Sequence, residues 1–347
     1  MSKQEIRIVK KQTDTLLIIR GLLAAAVVVW HIVKSNTNLP AWITIQGRTA
    51  VWIFFGISGY VIAYGFLTKR YTLQIDDIKV FYQNRFLRIY PLFLLISILT
   101  LVTAYFVSGK SPISIADIPA QLFMLQFNHE YILSGVFWTL GIEVQFYLVA
   151  PLLAILFLNT SKNAYWVIVG VYALFVVWVP FAFYLFGWGF DGRNLISNLS
   201  HFLIGMIGCK WILEKKSTKL NKYILICLIL ALLFITNYFY REAIKFYWTL
   251  GSVLIDLIIL LSILLHLNLS KQGGDKQNWF LRAFTFLGVI SYGVYAWHPY
   301  LIKYIPMLDQ LVLLAVVVTV LVAFISYRIV EQPILKMKRI HKTRTVS

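Results

Sequence analysis

Leu16-Leu17-Ile18-Ile19-Arg20-Gly21-Leu22-Leu23-Ala24-Ala25-Ala26-Val27-Val28-Val29-Trp30-His31-Ile32-Val33 is a nearly unbroken run of hydrocarbon that carries one arginine and one histidine. A run of this length reads as a membrane-spanning helix, the form that satisfies every backbone N–H and C=O within its own segment once water is excluded. Arg20 and His31 stand 11 residues apart. At about 100° per residue that is roughly three turns plus about 20°, so both fall on one stripe. Ala24 and Val27 or Val28 lie between them on it, with Gly21 and Ala25 alongside, a face narrow enough for neighbouring helices to close around the two polar groups. An arginine at mid-membrane costs about 2.5–3.5 kcal/mol on insertion scales, which marks this helix as functional.

The rest of the chain is built the same way. Its 347 residues are 60% apolar and only 13% charged, a composition that excludes a soluble globular domain. Apolar runs fall near 15–33, 49–67, 87–108, 135–158, 163–187, 194–213, 222–239, 247–267, 283–302 and 309–330. The sequence therefore predicts an all-α fold, a polytopic membrane helical bundle of about ten transmembrane helices, as one membrane domain over residues 1–347. Lys10 and Lys11 precede the first run as they would in a signal peptide, but no small-residue cleavage pattern follows. The connection at about 109–134 carries Pro112, Pro119 and the short apolar stretch Leu122 to Phe127, too short to span and predicted to re-enter or lie on the surface.

The net charge of +18 invites a nucleic-acid reading, which its distribution removes. With ten spans and a cytoplasmic N-terminus, 25 of the 32 Lys and Arg fall on the cytoplasmic side; the seven outside are Lys34, Arg48, Lys110, Arg193, Arg241, Lys245 and Lys303. The positive-inside rule then puts both termini in the cytoplasm. Cys209 and Cys227 lie in or near apolar spans with no metal or redox spacing and are read as packing residues. No metal is called for.

Several constellations carry chemistry. At the foot of the third span, Phe81-Tyr82-Gln83-Asn84-Arg85-Phe86-Leu87-Arg88-Ile89-Tyr90-Pro91 sets two arginines at i and i+3. They serve either as cytoplasmic caps of a span or as a phosphate site, since two guanidinium forks on one face each make paired hydrogen bonds to phosphate oxygens. The fourth span opens Phe137-Trp138-Thr139-Leu140-Gly141-Ile142-Glu143-Val144-Gln145-Phe146-Tyr147, with Thr139, Glu143 and Tyr147 at i, i+4 and i+8. An intramembrane glutamate is a functional candidate, or half of a buried ion pair between helices. In the second span, Ile53-Phe54-Phe55-Gly56-Ile57-Ser58-Gly59-Tyr60 lacks the Gly-x-Ser-x-Gly spacing of a nucleophile elbow. Its small residues read as close helix packing. The ninth span places Ser291, Tyr295 and His298 at i, i+4 and i+7, and Asp256 is a buried acid of the eighth span that needs a partner.

Sorted by depth, Arg20, Arg85, Arg88, Arg328 and Glu331 lie toward the cytoplasm, while His31, Arg48, His298 and, more deeply, Glu143 lie toward the outside. A cationic inner mouth suits a phosphorylated cytoplasmic donor, and an outer histidine with a carboxylate suits proton transfer at a hydroxyl.

Together these segments resemble the acyltransferase-3 family of integral membrane O-acyltransferases, which acylate surface glycans using acyl-coenzyme A. The resemblance rests on Arg20 with His31, the Phe54-Phe55-Gly56-Ile57-Ser58-Gly59 run, Arg85 with Arg88-Ile89-Tyr90-Pro91, Trp138-Thr139-Leu140 with Glu143 and Phe146-Tyr147, Ser291-Tyr292 with Tyr295 and His298, and Glu331-Gln332-Pro333. Each motif alone is weak; six in the family's order are specific. One departure is Ala50-Val51-Trp52, where family members often have Gly-Val-Asp, so that aspartate's role is absent or moved. We expect no appended extracytoplasmic hydrolase-like domain of the kind some members carry.

The resemblance implies a plasma-membrane enzyme moving an acyl group, above all acetyl, from acetyl-CoA at the cytoplasmic face to a glycan hydroxyl at the outer face, among membrane lipids and with its oligomeric state open. In that reading His31 is the general base and Glu143 an orienter or second acid/base group. Arg20, Arg85 and Arg88 hold coenzyme A phosphates, and Arg48, Tyr295 and His298 bind the acceptor. Arg20 and His31 are about 16 Å apart along a helix axis, comparable to much of an extended pantetheine arm. Direct transfer then predicts a passage lined by Arg20, Ala24, His31, Thr139 and Glu143, against a relay through Ser58. The reading from a different class is a secondary transporter or flippase with Arg20, Glu143 and Asp256 as a charge relay, although no internal repeat of the transporter kind is visible.

The topology is tested directly. Reporters fused after Arg70 and Lys216 should read cytoplasm, and insertions near Ser111 and Arg241 should read outside; opposite results at any two sites invert the layering.

Overall fold

The computed structural model describes residues 15–35, 44–111, 113–124, 133–159, 161–178, 193–214, 221–242, 250–271 and 279–338. Its helices, in chain order, are α1 (Thr15–Ser35), α2 (Gly47–Leu67), α3 (Ile75–Ser108), α4 (Trp138–Leu158), α5 (Lys162–Ala173, running on as the π-helical turn Leu174–Trp178), α6 (Leu195–Glu214), α7 (Lys222–Glu242), α8 (Ser252–Lys271), α9 (Trp279–Val289), α10 (Ser291–Tyr304) and α11 (Val312–Ser326, continued by Tyr327–Glu331 and Gln332–Leu335). Among the described residues there is no strand, and eight helices are long and apolar enough to cross a membrane. The protein is a multi-pass membrane protein.

Eight of the ten predicted spans are each met by one such helix. The fifth, 163–187, falls within the described residues only as far as 178. The ninth, 283–302, is corrected: it is two helices broken at Ile290. The cause is a backbone-on-backbone approach, because a Cβ on Gly288 would lie 1.9 Å from the Leu17 carbonyl oxygen and one on Gly21 would lie 2.7 Å from the Gly288 nitrogen. α9 ends against α1 there, and Ser291 Oγ donates to the Gly288 carbonyl at 2.8 Å to start α10. Of the short apolar stretch Leu122 to Phe127, Leu122 closes a helical turn over Ile118–Leu122, and 125–127 lie outside the described residues.

Burial orders the bundle from centre to rim. In the most apolar window of α2, 78% of residues are buried within the protein, against 11% in α7, so α2 is the axis and α7 faces lipid. The sequence of α2 explains its place. Gly56 and Gly59 present bare backbone to α6, where a Cβ on Gly205 would lie 1.9 Å from the Gly56 carbonyl oxygen and one on Gly59 would lie 2.1 Å from that of Phe202. Without a hydrophobic drive between helices in lipid, this close van der Waals packing of small residues is what associates them. The aromatic ladder Phe55–Phe202–Phe146, with ring centroids 4.6 and 4.0 Å apart, then ties α2, α6 and α4 together.

α3 begins earlier than its apolar run. It has 34 residues, about 51 Å at 1.5 Å per residue, well beyond a hydrocarbon core of about 30 Å. The stretch between the second and third apolar runs, read from the sequence as a cytoplasmic connection over about 68–86, is thus corrected: it shrinks to a short turn, and Arg85 and Arg88 lie inside a helix already several turns old. Asp76 and Asp77 in the first turn complement the helix dipole, and Asp77 also accepts from the Thr72 backbone N–H at 3.0 Å. Gly109, at φ +66°, closes the other end in the left-handed conformation.

The α2–α6 contact gives a stability test with an internal control. Gly205→Ala should destabilise the protein by about 1–3 kcal/mol through overpacking, while Gly170→Ala, whose added Cβ meets nothing within 4 Å, should be neutral or slightly stabilising. Thermal unfolding of the two variants in detergent checks it, and equal melting temperatures would refute the packing account.

Candidate functional site

The site is built from one face of α2. Val51, Phe54, Phe55 and Ser58 fall at i, i+3, i+4 and i+7 and border two adjoining cavities of about 420 and 390 Å³, all four lining the larger and Ser58 the smaller as well. Both are lined by Arg20, Ser58, Glu143 and Tyr292. The smaller adds Arg85, Arg88 and Tyr147 and is polar; the larger adds Val51, Phe54, Phe55 and Leu140 and is apolar, with Thr139 and Tyr295 in its wall.

Glu143 sits where the two halves meet. Its Oε1 accepts from Ser58 Oγ at 2.9 Å and from the Tyr147 hydroxyl at 2.5 Å, so one carboxylate joins α2 to α4 and takes a hydroxyl from its own helix at i+4. The cations around it are held by rings. Arg20 lies 5.9 Å from the Phe54 ring centroid, and Arg85 lies 5.4 Å from that of Phe81 and 5.5 Å from that of Tyr147. Such stacking suits guanidinium better than ammonium. The Nε of Arg20 and of Arg85 are buried with no hydrogen-bond partner among the described residues, and the Tyr292 hydroxyl donates to the Ile89 carbonyl at 2.7 Å, which fixes α10 against α3 beside Arg88.

Beyond the apolar half, Thr139 Oγ1 and the Tyr295 hydroxyl are 2.9 Å apart, and each also reaches the Val136 carbonyl, at 2.9 and 3.2 Å. The Tyr295 ring faces Phe54 on one side, at 6.2 Å, and His298 on the other, at 5.8 Å. His298 is fully buried, and its ring centroid is 4.8 Å from that of His31. His31 Nδ1 is 2.9 Å from the Val27 carbonyl oxygen. Since a carbonyl only accepts, that contact sets the proton on Nδ1 and the lone pair of the neutral ring on Nε2. Arg48, in the first turn of α2, lies 5.8 Å from the Trp138 ring centroid and lines neither cavity.

The residues singled out in the sequence thus divide into two groups. Arg20, Arg85, Arg88, Glu143 and Tyr295 are cavity residues, whereas His31 and His298 form a pair behind Tyr295. Glu143 bonds Ser58 and Tyr147 rather than His31. Of the predicted passage, Arg20, Thr139 and Glu143 line a cavity; Ala24 and His31 do not. Ser58, read as a packing residue, is a hydrogen-bond donor to Glu143, and its spacing of i+4 from Phe54 on the cavity face was the available signal. Asp256 finds partners in His201 Nδ1 at 2.6 Å and the Tyr172 hydroxyl at 2.9 Å, away from Arg20 and Glu143. Trp52, standing where the resembled family often has aspartate, tilts over His201 at 4.7 Å and donates from Nε1 to Asn198 Oδ1 at 2.7 Å.

At the basic end the chain after α11 returns to α3. Glu331 is buried with neither carboxylate oxygen hydrogen-bonded among the described residues, and a Cβ on Gly293 would lie 3.3 Å from its Oε1. Lys338, beyond the span, is half-buried. Burial, and then the charges of Arg88, Arg85 and Arg70, push its ammonium down to about 7.

A bundle of membrane helices around a chamber that is cationic at one end and apolar at the other defines the class, a multi-pass membrane protein with an internal site. Residues 15–328 match the acyltransferase domain of the acyltransferase-3 family, and the chain belongs to that family. It is similar to the peptidoglycan O-acetyltransferase OatA of Listeria monocytogenes, 26% identical over 381 residues that cover 96% of this chain and 57% of OatA. It is also similar to a Staphylococcus aureus protein provisionally named an O-acetyltransferase, 24% identical over 92% of this chain and 56% of that protein. A provisionally named acetyltransferase of Acidianus two-tailed virus is 25% identical over 81% of this chain and 80% of its own length. The chain spans a little over half the length of the first two relatives. No solved structure matches it.

Lys338 lines neither cavity, but the charges of Arg88 and Arg85 help hold its ammonium down. An anion that neutralises those two arginines favours the charged form of Lys338, so above pH 7 its binding should take up a proton. Calorimetric titration of coenzyme A at pH 8 in buffers of different ionisation enthalpy should show that uptake, and Lys338→Met should remove it.

Proposed function

We propose that the protein is a membrane O-acetyltransferase that takes an acetyl group from acetyl-CoA at the cytoplasmic face and delivers it to a glycan hydroxyl at the outer face. The observation that carries this reading is the chamber itself: unpaired guanidinium nitrogens at one end, hydrocarbon at the other, and an imidazole pair beyond. A phosphopantetheine thioester has the same polarity along its length. Arg20, Arg85 and Arg88 are assigned to the phosphates, where planar forks make paired bonds to phosphate oxygens. Arg48, Tyr295 and His298 are assigned to the acceptor side. The family relatives, which carry acetyltransferase names, support the acetyl assignment.

In this mechanism His31 Nε2 withdraws the proton of the acceptor hydroxyl as its oxygen attacks the thioester carbonyl carbon. The new C–O bond forms and the C–S bond breaks, and the departing coenzyme A thiolate takes up the proton from the imidazolium. No covalent acyl-enzyme is required. Glu143 is a positioning residue: bonded to Ser58 and Tyr147, it holds α2 against α4 and balances Arg20 across the chamber.

Purified protein given acetyl-CoA and an acceptor glycan, with no ion gradient, should transfer acetate. His31→Ala should lower turnover by about 10²–10⁴-fold, the usual worth of a general base, without lowering affinity for coenzyme A. Arg85→Ala should instead weaken donor binding, with only partial rescue by lysine. A correctly inserted His31→Ala protein with near-normal turnover would remove the base from His31.

A further inference from the structure

Two cations stand at the basic end without lining either cavity. Arg70 is exposed in the turn between α2 and α3, its guanidinium 5.8 Å from the Tyr71 ring centroid. The Tyr71 ring is 5.4 Å from that of Phe81, over which Arg85 lies, and Asn84 Nδ2 donates to the Tyr71 hydroxyl at 3.1 Å. One pair of packed rings therefore separates Arg70 from Arg85. Lys338 arrives from the other end of the chain. Glu331 packs against Gly293, next to the Tyr292 that bonds the Ile89 carbonyl, and the turn Gln332–Leu335 rests on α3. Lys338 follows that turn, half-buried, where it feels the charges of Arg88, Arg85 and Arg70. Among the described residues none of these four cations has a carboxylate within ion-pair distance. Like charges gathered without counter-charge raise each other's energy, and a bound anion relieves all of them at once.

We propose that Arg70 and Lys338 form an outer phosphate subsite that takes the 3′-phosphomonoester of coenzyme A, while Arg20, Arg85 and Arg88 in the cavity take its diphosphate. The proposal rests on the thioester-donor reading above. In coenzyme A the diphosphate joins the pantetheine arm to the nucleoside, and the monoester sits one ribose further from the thioester. The cations follow the same order, from the cavity to the rim outside it. A phosphomonoester carries about 1.5–2 negative charges at pH 7, so it is answered best by cations that no carboxylate already neutralises. The positive-inside rule by itself also sets basic residues at such a rim, and the two accounts differ in what they require of the ligand.

The test measures the affinity of the purified full-length protein for coenzyme A and for 3′-dephospho-coenzyme A. Wild-type protein should bind coenzyme A more tightly by about tenfold or more, the usual worth of a hydrogen bond to a charged group. Arg70→Gln and Lys338→Met should each lower that ratio, and the double variant should bring it close to one. Arg20→Ala, deep in the cavity, should weaken both ligands and keep the ratio. The ratio is read within one variant, so a difference in folded fraction cancels. At pH 8 coenzyme A should also take up more protons on binding than its dephospho form, because the monoester acts on the Lys338 amine directly. Equal affinity of wild-type protein for the two ligands, or a ratio unchanged in the double variant, overturns the outer subsite and leaves coenzyme A as the donor. Failure of wild-type protein to bind either ligand overturns the donor reading and the subsite with it.

Discussion

One contact organises this molecule: bare backbone against bare backbone where Gly56 and Gly59 of α2 meet Gly205 and Phe202 of α6. Lipid does not drive apolar helices together, so the approach has to come from surfaces that fit, and here no side chain larger than hydrogen fits at Gly59 or Gly205. Fixing that face of α2 fixes the other. Trp52, Gly56 and Gly59 run down the side of α6 and α8, while Val51, Phe54 and Ser58 run down the side that lines the chamber, and Phe55 stands at the edge between them, stacked on Phe202 and in the chamber wall. A helix with a period of 3.6 cannot move one stripe without moving the other.

Some buried polar groups in the described bundle find partners inside the protein. His201 and Tyr172 answer Asp256, and Lys210 donates to the Phe157 and Asn159 carbonyls at 2.7 Å each, closing the C-terminal end of α4. Thr100 and Thr236 return their hydroxyls to carbonyls four residues back. Others have no hydrogen-bond partner among the described residues, among them the Nε atoms of Arg20 and Arg85, both oxygens of Glu331 and the hydroxyls of Ser97 and Thr319. In a low-dielectric interior an unanswered polar group is costly, and of these Arg20 and Arg85 line the polar half of the chamber.

The sequence made the class of fold and the polar stripes legible because both depend on local rules. Length and hydropathy mark spans, and the steps from Thr139 to Glu143 to Tyr147 are one helical face whatever packs against it. Three things were hidden by the same locality. The break at Ile290 comes from Gly288 meeting α1, a contact across most of the chain that no window around 283–302 reveals. The early start of α3 was masked because its first turns are polar and lie beyond the hydrocarbon. Ser58 sits between glycines that do serve packing, and only the position of Glu143 on another helix separates its task from theirs. Asp256 was legible as needing a partner, but His201 and Tyr172 are named only by the way α5, α6 and α8 assemble.

The spacing of Arg20 and His31 has an electrostatic rationale that goes with the chamber's length. A guanidinium in contact with His31 would oppose the imidazolium formed when the ring takes a proton, by about 4 kcal/mol at 4 Å with an effective dielectric of about 20. Over the roughly 16 Å that eleven residues of helix provide, the same charge contributes only about 1 kcal/mol. In the proposed assignment one helix can therefore carry both a phosphate anchor and a base without the first suppressing the second. Tyr295 keeps the division in place, since its ring stands between Phe54, over which Arg20 lies, and His298, against which His31 packs. In the same proposed assignment the distance that separates the two charges is also the distance a flexible thioester arm would cover, so donor length and the independence of the two ends would be set by the same eleven residues.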